Sequence, residues 1–464
     1  GEYVMKCLFL LMVAAVFTAQ GADWEFFSAP LSPDPAVGTT EGEAHVIRLP
    51  SRRSCGWWET TAAVEPGRGV RFTGRATIKL GKGESSAYND VMMYVTWYDP
   101  EKGNRKGVSF YQRDFISYKD TLGADGVIVR TFDRTMPVPQ KCNMIRIDLI
   151  CKWHEMDVRF ETVAAVSCDR PKPRVVRCVS GNPYEKGASF RAPGFEKTKP
   201  GWDDPDAVIA SRLWQIESCL TNIFAHVERP DIILFSECFV NTGGSPCPEK
   251  TDEFVPGGPS FALASKYAKK HRTYIAMNVR EKTQEGTHHN TTFIVDRAGQ
   301  LVGRYRKVTL TSGEYMAGLL PDDDFKVFDL DFGRVSCLTC WDNWFSESAK
   351  FLRRKEVELI LFPLAGCAND HVEISFPARA IDTGIPFLVS MRQRHLPNGV
   401  IDAKGNWVAQ TFEDGGFAWA DIDLDAQPQT FWLSVGPGLG DARSLYVDES
   451  RPELYEKQNY GLHR

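Results

Sequence analysis

A cysteine stands at the end of an apolar run that turns at once into an aromatic and acidic segment, RVSCLTCWDNWFSE at positions 334–347. A thiol at the end of a strand, where a helix is about to begin, can be exposed and activated as a nucleophile. Two other apolar or aromatic runs end in charge, one at Glu237 and one at Lys307. Because neighbouring strands bring their ends together at one edge of a sheet, we expect Glu237, Lys307 and Cys340 to meet in one site.

These three residue types could together cleave an amide bond. A thiolate attacks the amide carbon, and collapse of the tetrahedral intermediate gives a thioester and releases the amine. Glu237 would act as the general base that takes the thiol proton and later delivers a proton to the leaving nitrogen. Lys307 and the backbone N–H of Trp341 would stabilise the oxyanion. Water activated by Glu237 would then hydrolyse the thioester.

The elements that position this site alternate between helix and strand patterns. Apolar residues recur at helical spacing from Ile209 to Val227, and the strand Asp231 to Phe235 follows. Three more pairs are predicted: helix 260–270 before strand 274–279, helix 346–355 before strand 357–362, and helix 373–383 before strand 387–391. This alternation indicates an α/β domain whose sheet is covered by helices.

The preceding part of the chain has a different period. From about Trp24 to Val166, apolar and polar residues alternate with the two-residue period of half-buried strands. Strands without intervening helices indicate a β-sandwich or jelly roll. We assign residues 23–170 to this domain and residues 171–464 to the α/β domain, with a proline-rich linker from Ser167 to Asp204 between them.

Aromatic residues of the β-rich domain offer a carbohydrate-binding surface. The candidates are Trp57, Trp58, Trp97, Tyr98 and Trp153. Aromatic faces suit the apolar faces of pyranose rings, but the same side chains also fill sandwich cores. The sequence leaves both interpretations open.

The N-terminus and the composition indicate which classes of protein fit this sequence. Residues 1–22 contain a lysine, an apolar run and small residues, which is the pattern of a secretory signal peptide, so we expect an exported protein. That run is too short to span a membrane, which takes roughly 20 apolar residues. A net charge of -5 argues against a large nucleic-acid-binding surface. Twelve cysteines permit disulfides without specifying their pairing.

The α/β domain resembles the nitrilase superfamily of carbon-nitrogen hydrolases, over about Arg174 to Tyr455. The resemblance rests on an ordered set of short motifs. They are Glu237, Asn290, Tyr305-Arg306-Lys307, Gly313-Glu314, Cys340-Trp341-Asp342 with Phe345 and Glu347, Ala378 to Asp382, and Arg451 to Tyr455. The resemblance implies an αββα sandwich, the Glu237, Lys307, Cys340 triad, and a homodimer or larger homo-oligomer. It also implies that Glu314 positions Lys307 or the substrate.

Departures from the family pattern affect the expected substrate. Ser236 and Ser346 replace prolines that are usual in the family, and neither change removes a reacting group. Asp342 is one methylene shorter than the glutamate of true nitrilases, which favours an amide over a nitrile. An N-carbamoyl compound would undergo the same thioester chemistry. We therefore expect a small-molecule amide or an amide-bearing glycan as substrate, with N-carbamoyl compounds and nitriles as alternatives.

Other site types fit these residues less well. Cys337 and Cys340 have the C-x-x-C spacing of a redox pair, but such a pair normally opens a helix, whereas the strand pattern here runs through Cys337. His288 and His289 supply too few ligands for a closed zinc site, and we predict no metal and no cofactor. A glycan-binding protein with a catalytically silent hydrolase fold is the competing class.

Overall fold

The structure is a computed structural model, and it describes residues 23–82, 90–103, 109–123, 126–183, 204–241, 248–393, 395–413, 415–426, 428–432, 438–441 and 450. The predicted signal peptide at 1–22 and the motif at 451–455 lie outside the described residues. Two compact units are present. The first contains the described residues up to Lys172 and from Gln429 onward, and the second contains Pro173–Pro428.

The first unit is built from strands with alternating apolar and polar residues. Up to Lys172 they are β1 (Glu25–Ser28), β2 (Val37–Glu41), β3 (Ala44–Leu49), β4 (Cys55–Ala63), β5 (Gly69–Leu80), β6 (Val91–Gly103), β7 (Ser109–Phe115), β8 (Tyr118–Leu122), β9 (Ile128–Pro137), β10 (Met144–Lys152) and β11 (Met156–Cys168). In β5, Val70, Phe72 and Ile78 are buried. The intervening Arg71 and Arg75 are exposed, which is the alternation expected of a sheet with one covered face.

These strands form two sheets around one core. One sheet includes the order β1-β4-β10-β6-β7, and the other has the order β2-β3-β11-β5-β9-β8. Phe72 of the second sheet packs edge-on against Trp97 of the first, with ring centroids 5.8 Å apart. Both residues belong to a single hydrophobic cluster. The all-β character predicted for this part of the chain agrees with the structure.

Two of the aromatic residues considered for carbohydrate binding lie in this core. Trp58 and Trp97 are buried, whereas Trp57 and Tyr98 are half-buried. Trp153 is 42% exposed, and the Nζ atom of Lys152 is 4.1 Å from the centroid of its ring. Carbohydrate binding stays a prediction, and Trp58 and Trp97 are too buried to stack on a sugar.

The second unit alternates helices with strands. Its elements are β12 (Val175–Gly181), α1 (Pro205–His226), β13 (Ile232–Leu234), a 3-10 helix (Pro248–Thr251), α2 (Pro259–His271), β14 (Tyr274–Lys282), β15 (His288–Val295), β16 (Leu301–Arg306), α3 (Ser312–Met316), β17 (Val327–Leu330), β18 (Gly333–Cys337), a second 3-10 helix (Cys340–Trp344), α4 (Ser346–Arg354), β19 (Leu359–Leu364), a π-helical turn (His371–Ser375), α5 (Phe376–Thr383), β20 (Phe387–Met391), β21 (Asn398–Ile401), β22 (Trp407–Thr411) and β23 (Phe417–Asp423). The predicted α/β alternation is confirmed. The predicted linker is wrong in one part, because β12 lies within it and pairs with β13 and β23.

Two six-stranded sheets make the centre of the second unit. Their orders are β16-β15-β14-β13-β12-β23 and β17-β18-β19-β20-β21-β22. Apolar residues of both sheets, such as Leu234 and Leu361, share one core. Separate clusters pack α1 and α2 on the first sheet and α4 and α5 on the second. The layers therefore run helix, sheet, sheet, helix, which is the αββα arrangement expected from the sequence.

The chain then returns to the first unit. β24 (Gln429–Trp432) pairs with β25 (Gly438–Asp441), and β25 pairs in parallel with β7. The first sheet thus has the full order β1-β4-β10-β6-β7-β25-β24. All residues after 170 were expected in the α/β domain, whereas these two strands belong to the β-rich unit. Short, separated strands carry no signal in sequence that identifies a partner more than 300 residues away.

Candidate active site

The three residues predicted to react are positioned by the ends of three strands. Glu237 follows β13, Lys307 directly follows β16, and Cys340 opens the 3-10 helix that comes after β18. The first two strands belong to one sheet and β18 belongs to the other. Because the two sheets pack face to face, all three strand ends meet at one end of the sandwich.

Lys307 joins two carboxylates in the interior. Its Nζ lies 3.1 Å from Oε1 of Glu237 and 3.0 and 2.9 Å from the two carboxylate oxygens of Glu314. Lys307 is 1% exposed and Glu237 is 5% exposed. A charge this buried persists only when it is paired, so the two carboxylates fix the ammonium in place. The predicted contact between Glu314 and Lys307 is present in the structure.

Asn290 completes this network, although its place in the sequence indicated nothing beyond a motif position. Its Nδ2 donates to Oε1 of Glu237 at 2.7 Å and to Oε1 of Glu314 at 2.6 Å. Its Oδ1 accepts from Nδ2 of Asn278 at 2.9 Å, which orients the amide. Asn290 therefore holds the two carboxylates on either side of Lys307. The carbonyl of Asn290 accepts from the backbone N–H of Lys307 at 2.8 Å, next to the charged end of β16. The register of the two strands could therefore have indicated that Asn290 lies beside Lys307.

Cys340 occupies an uncommon backbone conformation. Its φ is 48°, in the left-handed region that residues with a Cβ seldom adopt. Such positions cluster where the surrounding structure fixes a functional side chain. The strand ends at Cys337, so Cys340 lies in the turn three residues later, a little beyond the strand end that the sequence indicated.

The electrostatics favour a neutral thiol at Cys340 in the resting protein. Burial raises its pKa above the usual range, and the charge of Glu237 and a hydrogen bond with it act in the same direction. The Lys307 ammonium and the backbone N–H of Ala365 lower the pKa of the thiol without reversing the effect. A neutral thiol needs a base before it can attack. The carboxylate that hydrogen-bonds to it is Glu237.

The charges around Lys307 favour its ammonium form. Burial alone would lower its pKa, but the negative charges of Glu237, Cys340 and Glu314 raise it well above the usual range. Burial would raise the pKa of Glu314, but the charge of Lys307 and a hydrogen bond from it outweigh burial and lower that pKa. The site therefore contains a fixed positive charge beside the thiol.

Asp342 anchors the turn that displays Cys340. This carboxylate is fully buried, and it accepts from the Tyr305 hydroxyl at 2.8 Å. It also accepts from the backbone N–H of Thr309 at 2.7 Å and that of Thr339 at 3.0 Å. Burial raises the pKa of Asp342 to about 6, while these hydrogen bonds act against the shift. Its role in the structure is to tie the 3-10 helix to the segment that carries Lys307.

Aromatic rings from this 3-10 helix and from the residue after it pack together. The ring centroids of Trp341 and Trp344 are 4.9 Å apart, and those of Trp341 and Phe345 are 5.8 Å apart. Trp344 is 36% exposed and Phe345 is 41% exposed. The rings form one cluster with a partly solvated face.

The other features considered from the sequence are a cysteine pair, a metal site and a membrane-spanning segment. Cys337 is fully buried within the core between the sheets. All ten cysteines in the described part of the chain are free, including Cys337 and Cys340. In the same residues, no group of three or more His, Cys, Asp or Glu side chains is arranged to hold a metal ion. No helix in the described ranges has both the length and the apolar character needed to cross a membrane.

Comparison with known proteins covers this second unit. Residues 202–429 match the family model for carbon-nitrogen hydrolases. The N-carbamoylputrescine amidase of Solanum lycopersicum is 29% identical over 151 residues, which are 30% of this chain and 49% of that protein. The omega-amidase of Homo sapiens is 25% identical over 214 residues, 42% of this chain and 76% of that protein. The carbon-nitrogen hydrolase structure from Helicobacter pylori G27 is 17% identical with a TM-score of 0.48, and the match covers 63% of this chain and 99% of that one. The chain spans about half the length of the plant amidases that it matches.

Proposed function

We propose that the second unit is a carbon-nitrogen hydrolase of the nitrilase superfamily, which the match of residues 202–429 to the carbon-nitrogen hydrolase family model supports, and that it hydrolyses a non-peptide amide through a thioester on Cys340. The observation that carries the proposal is the buried Lys307 ammonium, which contacts Glu237 at 3.1 Å and affects the charge state of Cys340. Nucleophile, base and cation thus come from separate strands and converge, as an acyl-transfer site requires.

The first half of the reaction forms the thioester. Glu237 takes the proton from Sγ of Cys340 as the sulfur attacks the carbonyl carbon of the amide. The oxyanion is stabilised by Lys307 and by the N–H of Trp341, one of the first N–H groups of the 3-10 helix, which have no acceptor within that helix. The intermediate collapses with cleavage of the C–N bond. Glu237 returns its proton to the leaving nitrogen, and ammonia or an amine departs.

The second half restores the enzyme. Glu237 takes a proton from a water molecule, whose oxygen attacks the thioester carbonyl, and the same oxyanion donors act again. The C–S bond breaks, the acid product leaves, and Cys340 regains its proton. Glu314 and Asn290 do not react in this scheme. They hold Lys307 and Glu237 in place.

We favour a carboxamide as substrate, and an N-carbamoyl compound is the second candidate. The similarity to an N-carbamoylputrescine amidase supports the second candidate. In that case the acyl group on sulfur is a carbamoyl group, and its hydrolysis gives carbon dioxide and ammonia. Export, glycan binding by the first unit, homo-oligomer formation and a catalytically silent site stay predictions from the sequence.

Intact-mass spectrometry tests the proposal. Wild type, Cys340→Ala and Cys337→Ala would each be incubated briefly with a panel of amides, N-carbamoyl compounds and nitriles, then quenched in acid. We expect an acyl adduct on wild type and Cys337→Ala but not on Cys340→Ala, and the added mass identifies the acyl group. Neither adduct nor product from any panel member would favour the silent hydrolase fold. Loss of turnover in Cys337→Ala alone would favour redox chemistry.

A further inference from the structure

Arg392 follows β20 and lies beside the candidate active site. Its backbone N–H donates to the carbonyl of Leu364 at 3.0 Å. The next residue along from Leu364 is Ala365, whose N–H hydrogen-bonds to Cys340. The neighbouring Gln393 accepts from the N–H of Cys367 at 3.0 Å. The segment that begins with Arg392 is therefore fixed against the loop that contacts the nucleophile.

The charge of Arg392 reaches the other side of the site as well. Cys238, next to Glu237 in sequence, is buried, and its Sγ lies 3.3 Å from Oδ1 of Asn278. Burial and the charge of Glu237 raise the pKa of Cys238, and the opposing positive charge of Arg392 acts on it more strongly than that of Lys307. Arg392 is thus closely coupled to the residue that adjoins the proposed base.

One nitrogen of the Arg392 guanidinium, Nη1, is buried without a hydrogen-bond partner in the described part of the chain. Other arginines of this unit are paired with carboxylates, as in Arg280–Asp252 at 3.1 Å, Arg297–Asp231 at 2.7 Å and Arg306–Glu281 at 2.9 Å. An unpaired buried donor is costly, and a charged one more so. A ligand that supplied an anion would remove that cost.

We propose that Arg392 is a specificity-determining residue that binds a carboxylate of the substrate, so that the preferred amide carries an anionic group. This inference rests on the proposed function, because it assigns the substrate class of the same site. Arginine suits the task because its planar fork binds a carboxylate through two parallel hydrogen bonds. The nearby Lys307 is already occupied by Glu237 and Glu314.

The kinetic test compares amides with and without the charge. Malonamate, succinamate and glutaramate would each be paired with the neutral amide in which an isopropyl group replaces the carboxylate. For wild type we expect kcat/KM for the best anionic amide to exceed that of its neutral partner roughly 10- to 100-fold, the range for a charged hydrogen bond. Arg392→Gln should bring the ratio close to one, and Arg392→Lys should restore part of it. Arg354→Ala, an exposed arginine on α4, is the matched control and should keep the wild-type ratio.

A binding measurement separates this inference from the proposed reaction. Calorimetry on Cys340→Ala, with and without Arg392→Gln, reports affinity for the same amide pairs without turnover. A preference for the anionic amide that disappears with Arg392→Gln supports the inference even if wild type hydrolyses none of the amides, an outcome that would contradict the proposed function alone. Equal affinity for charged and neutral partners, or a preference that survives Arg392→Gln, overturns the inference. If Arg392→Gln does not fold, Arg392→Lys tests the same inference. Lysine lacks the planar guanidinium fork, so the ratio of affinities for the anionic and neutral amides must fall several-fold.

Discussion

At the scale of single residues, the site is defined by the hydrogen bond between the Cys340 thiol and the carboxylate of Glu237. Burial, and then the charge of Glu237, raise the pKa of the thiol, so the proton stays on sulfur. In the proposed reaction, the proton transfers to Glu237 as the sulfur attacks the substrate carbonyl. The base is therefore needed at the moment of attack rather than before it.

Replacement of Glu237 should make the thiol more acidic. In Glu237→Gln both the charge and the hydrogen bond that raise the pKa of Cys340 are weakened or lost, so its titration should move to lower pH. Lys307→Ala removes a charge that lowers the same pKa, so its titration should move to higher pH. The rate of methylthiolation at Cys340, followed by peptide mass spectrometry against pH, measures both shifts. Shifts in the same direction would contradict the proposed charge arrangement.

Glu314 provides a second residue-scale prediction. Because its pKa is held low mainly by Lys307, its contribution to stability is present at neutral pH and is lost as pH falls through that depressed value. Glu314→Gln should flatten the acid limb of the stability curve. It should also lower kcat roughly 10- to 1,000-fold by freeing Lys307 from its position. Denaturant unfolding from pH 3 to pH 7 and steady-state kinetics measure the two effects. Glu228→Gln, at an 82% exposed side chain, is the control and should change neither.

At the scale of elements, the 3-10 helix that begins at Cys340 has little to stabilise it by itself. It has five residues, too few for propensity to hold it. The carboxylate of Asp342 stabilises it instead. It accepts hydrogen bonds from the hydroxyl of Tyr305 on β16 and from the backbone N–H groups of Thr309 and Thr339. The geometry of Cys340 therefore depends on the buried carboxylate of Asp342.

Tyr305→Phe tests this anchor. The substitution removes one hydrogen bond to a buried carboxylate, which should lower the free energy of unfolding by about 1 to 3 kcal/mol. We also expect a lower kcat with a smaller change in KM, because the turn that fixes Cys340 is loosened. Urea unfolding and steady-state kinetics provide the readouts. Tyr315→Phe, at a 58% exposed side chain, should be silent in both, and an equally silent Tyr305→Phe would show that Asp342 does not need this bond.

Sequence pattern predicted the elements of the second unit better than their contacts. The strand Phe387–Met391 was predicted with the bounds observed; α2 extends one residue beyond its prediction at each end, and α4 ends one residue before its prediction. Period and strand ends are local properties, so a single sequence displays them. The role of Asn290 was missed because an amide does not titrate and gains its meaning only from the carboxylates it joins. The partner of β25 was missed because strand pairing across hundreds of residues leaves no local pattern.

At the scale of the whole molecule, the first unit contains an acidic residue that makes its stability depend on pH. Asp114 is fully buried, and it accepts from Nε1 of Trp97 at 2.8 Å. Burial, followed by the charge of Asp441, raises the pKa of Asp114 to about 7. Because the folded pKa lies above the ordinary value, this group's contribution to stability is full below about pH 4 and is lost as pH rises through 7.

Asp114→Asn should remove that dependence. Between pH 5 and pH 8 the wild-type unit should lose on the order of 1 to 4 kcal/mol of protection around this residue, and the variant should lose much less. Hydrogen exchange of peptides from β6 and β7, corrected for intrinsic rates, measures the local stability in the full chain. Asp133→Asn, at a largely exposed carboxylate in an ion pair with Arg71, is the control. Parallel pH profiles for wild type and Asp114→Asn would contradict the assignment.

The return of β24 and β25 to the sheet of the first unit has a consequence for synthesis. A ribosome makes β7 long before it makes β25, and the whole second unit, Pro173–Pro428, emerges between them. Until β25 is made, the outer edge of β7 lacks its final neighbour, so the nascent first unit keeps an open strand edge while the second unit is translated. A stop codon placed just after the second unit would retain every strand of that unit and leave the first unit unfinished.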